Sequence, residues 1–79
     1  MPKWLKCKID KGMFSDEFTV IVRTHGGDNV SVFVPRDAAD LNEGRVKVRA
    51  DERDGTAIAV LPDENQSVVE VSSSDLVPA

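Results

Sequence analysis

The segment spanning residues 18–35, FTVIVRTHGGDNVSVFVP, constrains the fold more than any other part of the chain. It contains two runs of alternating apolar residues on either side of Gly26 and Gly27. Because side chains along a strand point alternately to opposite faces, each run has one apolar face. A loop with an odd number of residues, such as 25–27, places both apolar faces on the same side of the hairpin. We therefore predict an antiparallel hairpin with one buried face and with Gly27 in a left-handed conformation.

This odd loop also determines which residues face each other and which side chains point away from the core. Ile21 and Phe33 fall on the outer face, and His25 lies in the loop. The outer pair is either covered by another part of the chain, such as Met13 and Phe14, or exposed as a contact patch for a partner. The predicted cross-strand pairs are Val22 with Val30, Val20 with Val32, and Phe18 with Val34.

The length of 79 residues indicates one domain, 1–79, near the lower limit for folding without a disulfide or a metal. Cys7 is the only cysteine, so an internal disulfide is excluded, and no cysteine–histidine set has zinc-site spacing. The lone cysteine and the lack of a leader-like start predict a cytoplasmic protein. No apolar run approaches the ~18–20 residues that span a bilayer, so no membrane partner is predicted.

The net charge of −4 is unevenly distributed along the chain. Residues 1–11 carry a charge of +3, whereas the rest of the chain carries −7. Nonspecific nucleic-acid binding depends on neutralising phosphates with lysine and arginine, so the acidic total disfavours it. A local basic face is still compatible with this composition.

The segment 37–43 favours a short helix. Asp37 can cap a first turn, the two following alanines favour helix, and Gly44 suits the end of the last turn. The sequence thus predicts one or two helical turns that direct Leu41 into the core.

Four other segments alternate between apolar and polar residues, which is typical of half-buried strands. The last three are separated by polar turns and predict a three-stranded meander, with Gly55 in a left-handed conformation. We expect Ile58 and Val60 on the inner face of the middle strand, paired with valines of the third. Its outer face then presents the small side chains of Ala57 and Ala59. The predicted strands are 4–10, 45–50, 56–61 and 67–72, with Leu5, Cys7, Ile9, Val46, Val48, Ile58, Val60, Val69 and Val71 inward.

The chain ends in VSSSDLVPA, which predicts one capped turn followed by a short strand at 76–77. Five or six short strands do not form a stable flat sheet with an exposed apolar face, so we expect them to curl over. This layout resembles the small SH3-like barrels of bacterial proteins. The resemblance implies an all-β, partly open barrel of five to six antiparallel strands with one short helix near 37–43. The aromatic ligand groove of signalling SH3 domains is missing, because the chain has no tyrosine and one tryptophan, so binding of proline-rich peptides is not implied.

No set of side chains in the sequence has the pattern of a catalytic or metal site. A catalytic His25 would need a nucleophile or carboxylate held beside it, and we interpret it as a solvated turn residue. Cys7 falls on an apolar strand face, which favours a buried, unreactive thiol. The carboxylates cluster in turns without the ligand spacing of a calcium loop. We therefore predict no enzymatic activity, no metal and no cofactor.

Because no catalytic or metal site is predicted, the sequence favours a non-enzymatic module that binds a protein partner. A homodimer is also compatible with the sequence. The alternative is nucleic-acid binding through a local basic face. Trp4 is either an interface anchor or a lid over one end of the barrel. The predicted protein-contacting residues are Trp4, Ile21, Phe33, Lys47 and Arg49. The residues of the alternative are Lys3, Lys6, Lys8, Lys47 and Arg49.

Overall fold

The computed structural model describes residues 2–11 and 16–78, which form an all-β domain. The strands are β1 Pro2–Lys6, β2 Lys8–Lys11, β3 Glu17–Arg23, β4 Asn29–Pro35, β5 Ala39–Asp40, β6 Arg45–Arg53, β7 Thr56–Val60, β8 Val68–Ser72 and β9 Leu76–Pro78. The large sheet has the strand order β8-β7-β6-β1-β9, with β5 also paired to β6, and the small sheet has the order β2-β3-β4. All pairings are antiparallel, and the strands do not close into a complete barrel, which confirms the predicted fold class.

The hairpin of β3 and β4 has the predicted register. The N–H of Thr24 donates to the carbonyl of Asp28 at 2.8 Å, so residues 25–27 form the odd loop. Gly27 has a φ of 93°, in the left-handed region. The facing pairs are Val22 with Val30, Val20 with Val32, and Phe18 with Val34.

The first predicted strand, 4–10, is divided at Cys7 into β1 and β2. The N–H of Cys7 donates to the carbonyl of Gly44 at 3.0 Å instead of pairing within a strand ladder. This break lets β1 join the large sheet and β2 the small sheet. Leu5 is fully buried, and Cys7 and Ile9 pack against the core, so the predicted inner face is correct although the strand is not continuous.

The short helix predicted near 37–43 is a single 3₁₀ turn, Arg36–Ala38. The helical turn ends there, because the next residues, Ala39–Asp40, form β5 and pair with the start of β6. The carboxylate of Asp40 also accepts from Arg45 Nε at 3.2 Å, which supports this pairing. Leu41 therefore lies in an exposed turn and not in the core, so that prediction is wrong.

The register predicted for the meander is wrong between β6 and β7 and also between β7 and β8, where Val69 was predicted to face Val60. Strand β6 continues to Arg53, and a two-residue turn of Asp54 and Gly55 follows, with φ values of 49° and 87°. Two consecutive positive φ values are typical of a type I′ hairpin turn. The short turn shifts the register, so Ala57 and Ala59 face the core and Ile58 faces solvent. Val69 and Val71 face inward as predicted, opposite Ala59 and Ala57.

The two sheets share one hydrophobic core. The hairpin contributes fully buried valines from one side, and the large sheet contributes the other side. The second 3₁₀ turn, Ser73–Asp75, leads into β9, so the predicted final turn and strand are confirmed, but the turn has no side-chain cap. The buried apolar residues are Leu5, Phe18, Val20, Val22, Val34, Val46, Val48, Ala50, Ala57, Ala59, Leu61, Val69, Val71 and Leu76.

Candidate binding surfaces

The five residues predicted to contact a protein lie on two different surfaces. Trp4 faces Lys47 across β1 and β6, and Arg49 lies two residues further along the same face of β6. These three residues therefore share the outer face of the large sheet. Ile21 and Phe33 lie on the outer face of the small sheet instead.

The outer face of the large sheet also carries Ile58 and Val60, which were predicted to lie in the core, together with Val68. Ile58 is 46% exposed and Val68 is 63% exposed. Val60 lies between Val68 and Arg49 in the register. The two-residue turn places Ile58 and Val60 on the outer face, and the Asp54-Gly55 dipeptide was the sequence signal that could have revealed it.

Three shallow depressions follow this face and overlap at their edges. The first has a volume of about 360 Å³ and shares Arg49 and Val60 with the second, of about 300 Å³. The second shares Asp51 and Ile58 with the third, of about 390 Å³. We call this continuous surface the outer trough and define it by these four shared residues.

The charged residues differ between the two ends of the outer trough. At one end, Lys47 and Arg49 surround an apolar depression that includes Pro62. Asp63 also lines this end, but its carboxylate accepts hydrogen bonds from Ser67, from N at 2.7 Å and from Oγ at 2.6 Å. Within the described residues neither cation makes an ion pair, so this end offers positive charge to a partner.

The opposite end of the outer trough has mixed charge. Asp51, Arg53 and Glu70 line its third depression, together with Ile58 and Thr56. Ile58 thus lies between a carboxylate on β6 and a carboxylate on β8, since it faces Asp51 on one side and Glu70 on the other. The partner surface that fits this end must pair with both signs of charge.

Trp4 is half-buried, and the side chain of Arg45 covers part of its indole ring. The guanidinium carbon of Arg45 lies 4.4 Å from the centre of the indole ring, within the range of a cation–π contact. Arg45 is held there by its bond to Asp40. Trp4 therefore takes part in an intramolecular stack at the margin of the trough.

The outer face of the small sheet contains a second groove, of about 630 Å³, which we call the basic groove. Lys6, Lys8 and Arg23 line it with the half-buried Ile21, and Asp75 is its acidic member. Phe33 is 60% exposed on the same sheet face. Met13 and Phe14, which were predicted as cover for these side chains, lie outside the described residues.

The five basic residues of the nucleic-acid alternative do not come together. Lys3 faces Val48 in the register and its Nζ contacts a carboxylate oxygen of Glu52 at 3.3 Å. Lys6 and Lys8 lie in the basic groove, whereas Lys47 and Arg49 lie in the outer trough.

No part of the described structure resembles a catalytic centre. The side chain of His25 is exposed, and its backbone N–H donates to the carbonyl of Glu70 at 2.7 Å. Burial raises the pKa of the Cys7 thiol to about 11, which disfavours the reactive thiolate. Within residues 2–11 and 16–78, no three histidine, cysteine or carboxylate side chains form a group that could hold a metal ion. None of the helical segments in this same range has the length and apolar character needed to cross a membrane.

Comparisons with known proteins give no relative for this chain. It matches no protein-family model. Neither the curated proteins nor the solved structures provide a match.

Proposed function

We propose that this chain is a non-enzymatic module that binds a protein partner through the outer trough. One observation carries the proposal: exposed Ile58 lies along a continuous surface of overlapping depressions with positive charge at one end, and exposed Val68 faces Val60 at its side. An exposed isoleucine in mid-strand costs hydrophobic free energy that binding can recover. Interfaces typically combine such an apolar centre with a charged rim.

The chemistry of the outer trough defines the partner segment. Apolar side chains of the partner would cover Ile58 and Val60, which removes apolar surface from water at roughly 25 cal/mol per Å². A partner carboxylate would approach Lys47 and Arg49, which have no competing ion pair among the described residues. An apolar segment with acidic residues at one end is therefore the class of partner that we expect.

The architecture that we propose for this module is the small SH3-like barrel. Three features support it: the bend that passes the first strand from one sheet to the other, the hairpin β3–β4, and the 3₁₀ turn before the final strand. In such a barrel the outer trough lies on strands held from both sides, so it is a rigid surface.

The proposed interface can be tested by comparing two substitutions of exposed apolar residues. Affinity capture from the native source with the wild-type chain identifies the partner, and the isolated pair is then measured by titration. Ile58→Asp is expected to weaken the complex by at least about 30-fold, because a buried interfacial anchor typically contributes about 2 kcal/mol or more. Leu41→Asp is the matched control, since Leu41 is 40% exposed in a turn that does not line the trough. Equal affinities of the two variants would remove the outer trough as the interface.

The basic groove supports a second candidate function, the binding of single-stranded nucleic acid. Three cations converge there, and exposed Phe33 on the same sheet face offers a surface for base stacking. Titration with a fluorescent oligonucleotide at about 20 mM salt is expected to show affinity that falls with salt and with Arg23→Glu. No affinity at low salt, or no effect of Arg23→Glu, would exclude this candidate.

A further inference from the structure

Strand β4 is an edge strand of the small sheet. Because Thr24 bonds to Asp28, and bonded pairs alternate along an antiparallel ladder, Val30, Val32 and Val34 bond to β3. The N–H and C=O groups of the intervening residues then point away from β3. Among the described residues no strand pairs with this outward edge. The residues with outward backbone groups are Asn29, Ser31 and Phe33.

Apart from Pro35 at its end, this edge lacks the usual protection against pairing with another chain. Natural edge strands commonly carry lysine, proline or a bulge. Between Asn29 and Val34 the sequence is NVSVFV, without a charge or a proline, and Pro35 comes only at the end of the strand. Phe33 is 60% exposed beside this edge. A strand of this kind is suited to accept an additional strand.

A groove of about 470 Å³ runs along the edge of β4, and we call it the β4 groove. Ser31 and Phe33 line one wall, and the turn that contains Glu64 and Asn65 lines the other. Among the described residues, the charged side chains that line it are all acidic: Glu17, Asp63 and Glu64. Asp63 is buried and its carboxylate accepts hydrogen bonds from Ser67, so Glu17 and Glu64 are the carboxylates that a ligand can contact directly.

We propose that the β4 groove binds an extended cationic segment of another protein by adding it as a strand to β4. The backbone of the segment pairs with the outward groups of Ser31 and Phe33. Its lysine or arginine side chains lie near Glu17 and Glu64, and an apolar side chain covers the ring of Phe33. This site shares Asp63 with the positively charged end of the outer trough, but its other lining residues differ and it selects a cationic segment instead of an acidic one.

The first experiment tests the backbone premise by amide hydrogen exchange on the free protein. Val30, Val32 and Val34 are expected to be protected, and Ser31 and Phe33 are expected to exchange rapidly because their N–H groups face the open groove. Slow exchange at Ser31 and Phe33 in the free protein would overturn the proposal, since the edge would already be paired.

The second experiment measures binding of a capped peptide of alternating lysine and valine, seven residues long. Its control is the same peptide with alternate backbone nitrogens methylated, which keeps the charge and removes the donors needed for strand pairing. Methylation is expected to lower the affinity by about tenfold or more, because several hydrogen bonds are lost. Equal binding of both peptides, or no binding of either, would overturn strand addition.

Matched variants locate the peptide on β4. Ser31→Pro removes an outward N–H without removing a β3–β4 bond and is expected to abolish binding, whereas Ser31→Thr is expected to retain it. Glu64→Gln is expected to weaken binding and its salt dependence, whereas Ile58→Asp on the outer trough is expected to have no effect. If Ser31→Pro does not fold, slowed exchange at Ser31 and Phe33 in the wild-type complex is the deciding measurement. Peptide binding that leaves these amides unprotected, or sedimentation of the free chain as a dimer that competes with the peptide, would overturn the proposal.

Discussion

The β3–β4 hairpin and the β6–β7–β8 meander are built from similar alternating sequences, yet only the hairpin has the predicted register. In the hairpin the inner positions hold large apolar residues, and most outer positions are polar, so one register is clearly better. In β7 both faces are apolar, because the sequence TAIAV offers Ala57 and Ala59 on one side and Ile58 and Val60 on the other. Alternation alone therefore does not show which face of β7 is buried, and the length of the turn before β7 determines it.

Strand β7 therefore directs its larger apolar side chains outward and buries its smaller ones, which is the reverse of what hydrophobic burial alone would favour. A short turn with two positive φ values determines this arrangement. Positions where the turn geometry is favourable but large apolar side chains stay exposed are often functional. The difference between the two regions is the reason that the outer trough, and not the hairpin, carries the proposed function.

The largest expected effect is the difference in stability between two valine-to-alanine substitutions, one in the hairpin and one in the meander. Val22 in the hairpin is fully buried, whereas Val68 in the meander is 63% exposed. We expect Val22→Ala to lower the free energy of unfolding by about 2–3 kcal/mol, because it removes buried methyl groups and leaves a cavity. Val68→Ala is expected to change it by less than about 0.5 kcal/mol. Urea denaturation of both variants measures the difference, and similar losses would contradict the observed burial.

A second substitution distinguishes the observed register of β7 from the predicted one. Ala59 is fully buried in the structure, but it would lie on the outer face in the predicted register. We expect Ala59→Val to cost about 2 kcal/mol, since added methyl groups overpack the core. On an outer face valine would be neutral or slightly favourable, because it has a higher strand propensity than alanine. Thermal unfolding with Ile58→Val as the control checks this, and a stabilised Ala59→Val variant would support the other register.

The sequence predicts most of the fold and only part of the candidate site. Lys47 and Arg49 are correctly predicted on the outer face of β6, because they alternate with the buried Val46 and Val48. The exposed position of Ile58 was not predicted, because it depends on the length of the turn between β6 and β7. The sequence also allowed a longer loop at that turn. The division of the first strand depends on a backbone bond from Cys7 to a distant residue, which no local pattern reveals.

The loop of the hairpin offers a smaller test of why its register is well determined. Gly27 has a φ of 93°, whereas Gly26 lies outside the left-handed region and has room for a methyl group. We expect Gly27→Ala to cost about 1 kcal/mol, through backbone strain alone, because nothing lies within 4 Å of the added carbon. Gly26→Ala is expected to be neutral or slightly stabilising, since it restricts the unfolded chain. Chemical denaturation of the pair measures this, and equal costs would show that the loop does not depend on the left-handed residue.

The smallest effect near neutral pH is expected at Cys7, where the chain passes from the large sheet to the small sheet. Burial raises the pKa of this thiol from 9.0 to about 11. Below pH 9 both folded and unfolded thiols are protonated, so stability does not depend on this group. Between pH 9 and 11 the unfolded chain loses the proton more readily, so the free energy of unfolding falls as the pH rises.

Lysines also titrate in this pH range, so the contribution of Cys7 must be isolated with a variant. The pH-dependent loss in the wild type is expected to exceed that in Cys7→Ala, measured by urea denaturation at several values from pH 8 to pH 11. Alkylation provides an independent check, because a pKa higher by two units leaves roughly 100-fold less thiolate at pH 8. The native thiol is therefore expected to react about 100-fold more slowly than the thiol unfolded in urea. Equal rates would mean that the junction between the two sheets opens freely, which would make the break at Cys7 a hinge instead of a packed bend.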